Sequence, residues 1–163
     1  MINILKQKSR LTLGVISDTH GSLVPAIHKT FQGADLILHA GDIDSPEVIE
    51  RLNHIAPVVA VRGNMDFGGW SHKLPKSDLI EVGQIYLYML HNLEALDLDP
   101  GAADIQVVIS GHTHHPSNQE VNGVLYLNPG SACYPRRNQP PSVARLHINH
   151  QSIKSEIMYL EEK

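Results

Sequence analysis

Eleven histidines in a chain of 163 residues pose the first question, because imidazole is the commonest metal ligand and changes charge near neutral pH. Four of them fall into short motifs with carboxylates or an amide: Asp18-Thr19-His20, Gly41-Asp42, Gly63-Asn64, a lone His91, and Gly111-His112-Thr113-His114. Taken singly, a Gly-Asp or Gly-Asn pair is an ordinary turn dipeptide. Taken together, all five groups stand where an apolar run stops. In an open α/β sheet, ligands collect at the carboxyl ends of the strands. If the strands run the same way, Asp18, His20, Asp42, Asn64, His91, His112 and His114 meet at one edge. Seven oxygen and nitrogen donors are too many for one divalent ion and enough for two, with the Asp42 carboxylate placed to bridge them. Imidazole and carboxylate without thiolate suit Mn²⁺, Fe²⁺, Zn²⁺ or Ni²⁺ better than Ca²⁺ or Cu(I). Glycines 41, 63 and 111 are expected to let the backbone turn sharply before a ligand.

The elements that must position these residues are readable from hydrophobic period. Residues 11–17 and 34–40 read as buried strands. Residues 22–32 carry Leu23, Ala26, Ile27 and Phe31 at helical spacing with Ser22 as the cap, and Ser45-Pro46-Glu47 opens a second helix. Residues 57–61 make a third strand, so the first sixty residues alternate strand and helix, which implies right-handed crossovers and parallel pairing. Two strand-like runs within 78–90 form a hairpin around Gly83-Gln84, and residues 105–109 are another buried strand. A hairpin turns at Asn122-Gly123. Two alternating strands, about 142–148 and 152–159, are joined at Asn149-His150-Gln151. The composite is an α/β fold of two packed sheets with helices outside, a parallel core that finishes in antiparallel strands.

Composition narrows the function classes. The chain is 42% hydrophobic and 18% charged, as in a globular domain rather than a disordered or fibrous one. No repeat or linker interrupts it, so residues 1–163 read as one domain, with 1–10 a loose extension ahead of the first strand. Thirteen basic against 17 acidic residues leave a net charge of -4, which argues against general nucleic-acid or membrane-surface binding. The single cysteine, Cys133, cannot form an internal disulfide, and the apolar stretches near the N-terminus are too short for a signal peptide. The expected location is the cytoplasm.

These motifs, in this order, resemble the calcineurin-like metallophosphoesterase superfamily: D-x-H, G-D, G-N, a lone His and G-H-x-H. More narrowly, Ile16 to Gly21, His39 to Asp42, Val61 to Asn64 and Leu127-Asn128-Pro129-Gly130-Ser131 are similar to the small bacterial and archaeal phosphodiesterases of the YfcE type, over roughly residues 11–159. The resemblance implies an αββα sandwich of two mixed β-sheets flanked by helices. It implies a metal-dependent phosphodiesterase acting on small phosphodiesters, and two divalent metal ions, with Mn²⁺ favoured. One ion would take Asp18, His20, Asp42 and His114, and the other Asp42, Asn64, His91 and His112. The nucleophile would be a hydroxide bridging the two, attacking phosphorus in line. On this reading Asp42, Asn64 and His91 are catalytic, and Asn64 also orients a phosphate oxygen. A dimer or tetramer is common among small members.

The chain departs from the family twice. Much of the superfamily has a proton-donating His directly after the G-N pair, and the narrower group usually has Cys; here the position is Met65. The lone His is commonly followed by Gly, whereas Asn92 follows His91. The alternative function is a non-catalytic metal-binding scaffold on the same fold, as in the retromer subunit of this superfamily, although a scaffold has no need of all seven donors. A nuclease of the DNA-repair branch ranks last, since the chain is short and acidic.

Arg62 and Arg136 are candidate substrate contacts, with Arg137 beside the latter. Asp66 is placed to orient a ligand histidine from behind. His115 belongs at the rim, His39 is expected buried and hydrogen-bonded, and His28, His54, His147 and His150 on the surface. Trp70 is expected to anchor a subunit contact.

Overall fold

Two five-stranded mixed sheets pack face to face in the computed structural model, which describes Leu5 and residues 8–161. The first sheet is built from β1 (Arg10–Ile16), β2 (Leu36–His39), β3 (Val58–Ala60), β9 (Ser142–Asn149) and β10 (Ser152–Tyr159), in the order β10-β9-β1-β2-β3. The second holds β4 (Ser77–Val82), β5 (Ile85–Leu90), β6 (Val107–Ile109), β7 (Ser117–Val121) and β8 (Val124–Asn128), in the order β4-β5-β6-β8-β7. Pairings β1–β2 and β2–β3 are parallel, as are β5–β6 and β6–β8. Each sheet thus has a parallel centre that sends several strand ends the same way. The hairpins β4–β5, β7–β8 and β9–β10 supply the antiparallel edges.

Strand alternation sorts the side chains between layers. Leu11, Leu13 and Val15 of β1, Leu36 and Leu38 of β2, Ile85, Leu87 and Met89 of β5, and Val107 and Ile109 of β6 meet in the core between the sheets. On the outer face of the first sheet, Ile16 and Ile37 pack with Ile27 and Phe31 of α1 (Ala26–Phe31) and Val48 and Leu52 of α2 (Pro46–Asn53). Gly14 belongs to this contact, because a Cβ there would lie 2.9 Å from the Phe31 ring. Strands buried on both faces read as continuous apolar runs, and these do. The outer face of the second sheet is covered more thinly. Leu96 and Leu98 pack there against Leu90, Val108 and Val124, from a segment with one 3₁₀ turn, Leu93–Ala95. Its leucines alternate and Pro100-Gly101 follows, so it lacks the period of an α-helix.

Two local expectations are revised. The first helix starts at Ala26 rather than after Ser22, with no side-chain cap: Pro25 keeps Val24 out of the helical region, and Ser22 instead turns back through its N–H to the Thr19 carbonyl. Of the expected loose extension, residues 1–4, 6 and 7 lie outside those described, while Leu5 is buried in the core and Lys8 pairs with Asp35. Trp70 is half-buried against the α1–α2 cluster, where Ser71, fully buried, pulls the turn inward through hydrogen bonds to the Asp66 and Gly68 carbonyls. His28, His54 and His150 are exposed, and His147 lies 3.3 Å from the Thr12 hydroxyl. Among the described residues no helix is long and apolar enough to cross a membrane.

His39, at the end of β2, ties two strand-end loops together. Its Nδ1 accepts from the Gly41 N–H at 3.2 Å, which leaves Nε2–H to donate to the Thr19 hydroxyl at 3.0 Å. Burial drives this imidazole down to about 3. It is therefore neutral in the fold, and in the unfolded chain it takes a proton below 6.5. The stability this site carries is complete above pH 6.5 and is lost as the pH falls toward 3. At pH 5 the loss is about 2 kcal/mol. Melting temperatures between pH 7 and pH 5 should fall in the wild type and fall less in His39→Gln, which does not titrate; parallel slopes would contradict this account.

Candidate metal centre

The carboxyl ends of β1, β2, β3, β5 and β6 meet at one edge of the sandwich. Loop 17–20 is laced to loop 41–43 by Asp18 N–H to Gly41 O at 3.0 Å and His20 N–H to Asp42 O at 3.1 Å. The Gly111 N–H reaches across to the His91 carbonyl at 2.9 Å, and the Ala132 N–H to that of Ser17 at 3.2 Å. The condition on which the sequence reading depended, strands running the same way, is met.

Three glycines permit the approach, though not all by turning. Gly41 has φ 97, and a Cβ there would also lie 2.8 Å from His91 Nδ1. Gly63 and Gly111 do not have positive φ. They are required because a Cβ on Gly63 would sit 2.2 Å from Asp42 Oδ1, and one on Gly111 would sit 1.9 Å from the Ser17 hydroxyl. The sharp turns are made by the donor residues themselves: Asp18, His20, Asp42, His112 and His114 all have φ between 44 and 71. Asp and His tolerate this left-handed region better than most side chains, yet each such residue costs about 1 kcal/mol or more. Strain concentrated on one constellation marks a functional site.

Asp18 and Asp42 form the floor, 0% and 3% exposed. Each has one oxygen committed to the protein and one left bare. Asp18 Oδ2 accepts from the Ser17 hydroxyl at 2.7 Å and the His112 N–H at 3.1 Å. Asp42 Oδ1 accepts from the Met65 N–H at 2.8 Å. The other oxygens face the histidines: Asp18 Oδ1 lies 3.2 Å from His114 Nε2 and 4.0 Å from Nε2 of both His20 and His91. Asp42 Oδ2 lies 3.2 Å from His91 Nε2 and 4.0 Å from His20 Nε2. Asp18 Oδ1 and His91 Nε2 are fully buried and have no aligned hydrogen-bond partner among the described residues.

The imidazoles are oriented from behind. Nδ1 of His20 lies 3.0 Å from Asp44 Oδ2, that of His91 lies 2.8 Å from the Ala40 carbonyl, and that of His114 lies 2.6 Å from the Tyr134 carbonyl. All three partners are acceptors, so the proton sits on Nδ1 and the Nε2 lone pair points inward. His20 and His114 bring their Nε2 atoms within 3.3 Å of each other. His112 differs: its Nδ1 faces Asn64 Oδ1 at 3.1 Å, and its ring stands edge-on to His91.

Two triads have donors close enough to hold an ion, Asp18–His20–His114 and Asp18–Asp42–His91. Asp18 belongs to both. Asn64 and His112 stand beside them as a pair. All seven predicted donors are therefore brought to one edge. Burial works to raise the Asp42 carboxyl, but His91 beside it and the Met65 N–H hold it below its usual value. The Asp18 carboxylate raises His114. Burial opposes charge on His91, but Asp42 and Asp18 lift it above the ordinary value. Each pair thus favours positive charge close to buried carboxylates, which is the demand a divalent cation meets. The donor set, with two bare buried atoms aimed inward, fits such ions.

Other predicted residues are placed differently. Asp66 makes no hydrogen bond or ion pair with a histidine among the described residues; its buried carboxylate accepts the N–H groups of Ile43, Asp44 and Gly63 at 2.7–2.8 Å and clamps loop 63–66 to loop 42–44. Burial raises it above the ordinary value despite those donors. The carboxylate that orients a histidine is Asp44, two residues after Asp42, which the sequence reading passed over. Ser17 and Asn128 were also missed as positioning groups. Asn128 donates to the Gly111 carbonyl at 2.9 Å and to Thr113, and Ser131 donates to the Asp18 carbonyl at 2.8 Å; both lie in the Asn128–Ser131 motif. The guanidinium of Arg62 makes no ion pair among the described residues, and the residue's backbone N–H is tied to the Pro75 carbonyl. Arg136 lies close enough to oppose protonation of His114 and lines a cleft that runs up to His112.

Comparison with known proteins agrees with this geometry. The family model described as the calcineurin-like phosphoesterase superfamily domain matches residues 11–151. A probable metallophosphoesterase of Methanothermobacter thermautotrophicus is 38% identical, over 91% of this chain and 92% of its own length. Phosphodiesterase YfcE of Escherichia coli K12 is 29% identical over 86% of this chain and 94% of its own. Among solved structures, Vacuolar Protein Sorting 29 of Cryptosporidium parvum superposes with a TM-score of 0.78 at 23% identity, covering 94% and 93% of the two chains; at that identity the likeness is one of fold.

Two substitutions separate the orienting group from the clamp. Asp44→Ala should weaken Mn²⁺ binding about 10–100-fold in titration calorimetry while the circular dichroism spectrum is retained. Asp66→Ala should instead destabilise the fold by about 2–4 kcal/mol in urea titrations, because it strands two buried N–H groups and a third that is partly buried. Equal effects of both variants on both measurements would refute the division of roles.

Proposed function

Because the chain belongs to the calcineurin-like phosphoesterase superfamily, we propose that it is a metal-dependent phosphodiesterase acting on small phosphodiesters through a dinuclear centre. The observation that carries this reading is the convergence of Asp18 Oδ1, Asp42 Oδ2 and the Nε2 atoms of His20, His91 and His114, linked by six contacts of 3.2–4.0 Å. Asp18, His20, Asp42 and His114 would hold one ion, and Asp42, Asn64, His91 and His112 the other. Two divalent ions so held would lower the pKa of a water between them and neutralise charge on the phosphoryl oxygens. Mn²⁺ is the favoured metal, and Zn²⁺, Fe²⁺ and Ni²⁺ fit the same donors.

The side chains of this centre divide the remaining work. Asn64 is exposed and turns Oδ1 toward His112, which leaves its amide NH₂ to orient a phosphate oxygen. Asp18 and Asp42 anchor the floor through their committed oxygens, and His20, His91 and His114 are held in the ligating tautomer from behind. Met65 offers the leaving group nothing: its side chain is 45% exposed and has no acidic proton, and its N–H is committed to Asp42. The ester oxygen must leave without a proton from that position.

Relatives named phosphodiesterase support the substrate class. The scaffold alternative draws on the fold shared with Vacuolar Protein Sorting 29; the complete set of seven donors favours catalysis. A half-buried free thiol, Cys133, fits a reducing cytoplasm.

The deciding experiment strips the protein with chelator and assays bis-(p-nitrophenyl) phosphate with and without Mn²⁺, beside Asp42→Asn. Turnover should return with metal in the wild type and be lost in the variant. Silence with Mn²⁺, Zn²⁺, Fe²⁺ and Ni²⁺ alike would hand the protein to the scaffold reading. A second comparison addresses Met65: aryl phosphodiesters should outpace alkyl ones, since general-acid help is worth about 10²–10⁴-fold. Equal rates would show that another group protonates the leaving oxygen.

A further inference from the structure

A cleft of about 810 Å³ begins at Gly111 and His112 and runs away from the metal centre over the outer side of the second sheet. Its size lies in the range of pockets that hold a whole small ligand, larger than a scissile phosphate and a simple ester arm require. Leu93 and Tyr126 give it an apolar and aromatic body. Its charged lining is two guanidiniums, Arg136 and Arg137, against one carboxylate, Glu94.

The arginines sit on a turn that has been forced. The Gln139 N–H closes it onto the Arg136 carbonyl at 3.2 Å, and the two central residues, Arg137 and Asn138, have φ 56 and 57. Neither is glycine, and the left-handed conformation is costly for a side chain as large as arginine. The turn is held against the metal-binding loop by His115, whose Nδ1 lies 3.1 Å from Gln139 Oε1. The connection fixes the backbone that carries Arg136 and Arg137 against the loop that carries His112. Arginine presents a planar fork of donors that matches a phosphate bidentately, and no partner carboxylate engages either one among the described residues.

We propose that this cleft is a second anion subsite, and that the substrate is a phosphodiester in which one ester arm ends in a further phosphate. The scissile phosphate lies at the metal centre, the body of the arm lies against Leu93 and Tyr126, and the terminal phosphate is held by Arg136 and Arg137. This subsite rests on the phosphodiesterase reading above and adds a specificity to it.

The test uses a matched pair of probes, the p-nitrophenyl ester of thymidine 5′-phosphate with and without a 3′-phosphate. In the Mn²⁺-loaded wild type the 3′-phosphorylated ester should have a KM about tenfold lower, the effect of one or two charged hydrogen bonds. In R136A/R137A that ratio should fall toward one. A wild-type ratio near one, or a preference that survives in the double variant, would overturn the proposal. Binding separates this failure from failure of the enzyme reading. Calorimetry on chelated protein should give thymidine 3′,5′-bisphosphate a tighter Kd than thymidine 5′-phosphate in the wild type only. If neither ester turns over, the phosphodiesterase reading falls, and the Kd ratio still decides the subsite.

Discussion

Two carboxylates buried side by side dictate much of this molecule. Asp18 and Asp42 sit at the ends of adjacent parallel strands with almost no exposure, where each negative charge is costly unless compensated. One oxygen of each is compensated by N–H and O–H donors, and the other by whatever positive charge the histidines can hold. Such a floor is stable only if the surrounding loops stay closed around it.

The loops are closed by groups outside the donor set. His39 bridges the first two, Asp66 the second and third, and Asn128 and Ser131 secure the loop that carries His112 and His114. Because the backbones approach so closely, Gly63 and Gly111 cannot carry a Cβ, and five donor residues adopt left-handed backbone. The two sheets meet these demands together: one supplies Asp18, His20, Asp42 and Asn64, and the other supplies His91, His112 and His114. The rigidity of the sandwich is what permits strain to persist at its edge.

The donors were legible in the sequence because each ends an apolar run, and strand ends are where α/β sheets collect ligands. Ser45-Pro46-Glu47 likewise announced its helix, which begins at Pro46, and Asn122-Gly123 its hairpin. His39, read as a buried and satisfied histidine, is one. Other features were legible only in part. Asp66 carried the right address, but its partners are backbone N–H groups of distant loops, which no side-chain pattern encodes. Asp44 belongs to none of the sequence motifs, and only the fold turns it behind His20. The carbonyls of Ala40 and Tyr134 that set two histidine tautomers have no sequence signature at all.

By itself the sequence determined the residue types, their order, and the strand and helix periods that send each motif to a strand end. Those depend on neighbours a few positions away, so local chemistry suffices to read them. The tertiary structure alone decided which sheet each strand joins, how β9 and β10 return beside β1, and that the Asp18 carboxylate lies within reach of both triads. It also decided which oxygen of each carboxylate stays bare. Those outcomes rest on contacts between residues about twenty to more than one hundred positions apart, and such contacts exist only once the two sheets have packed.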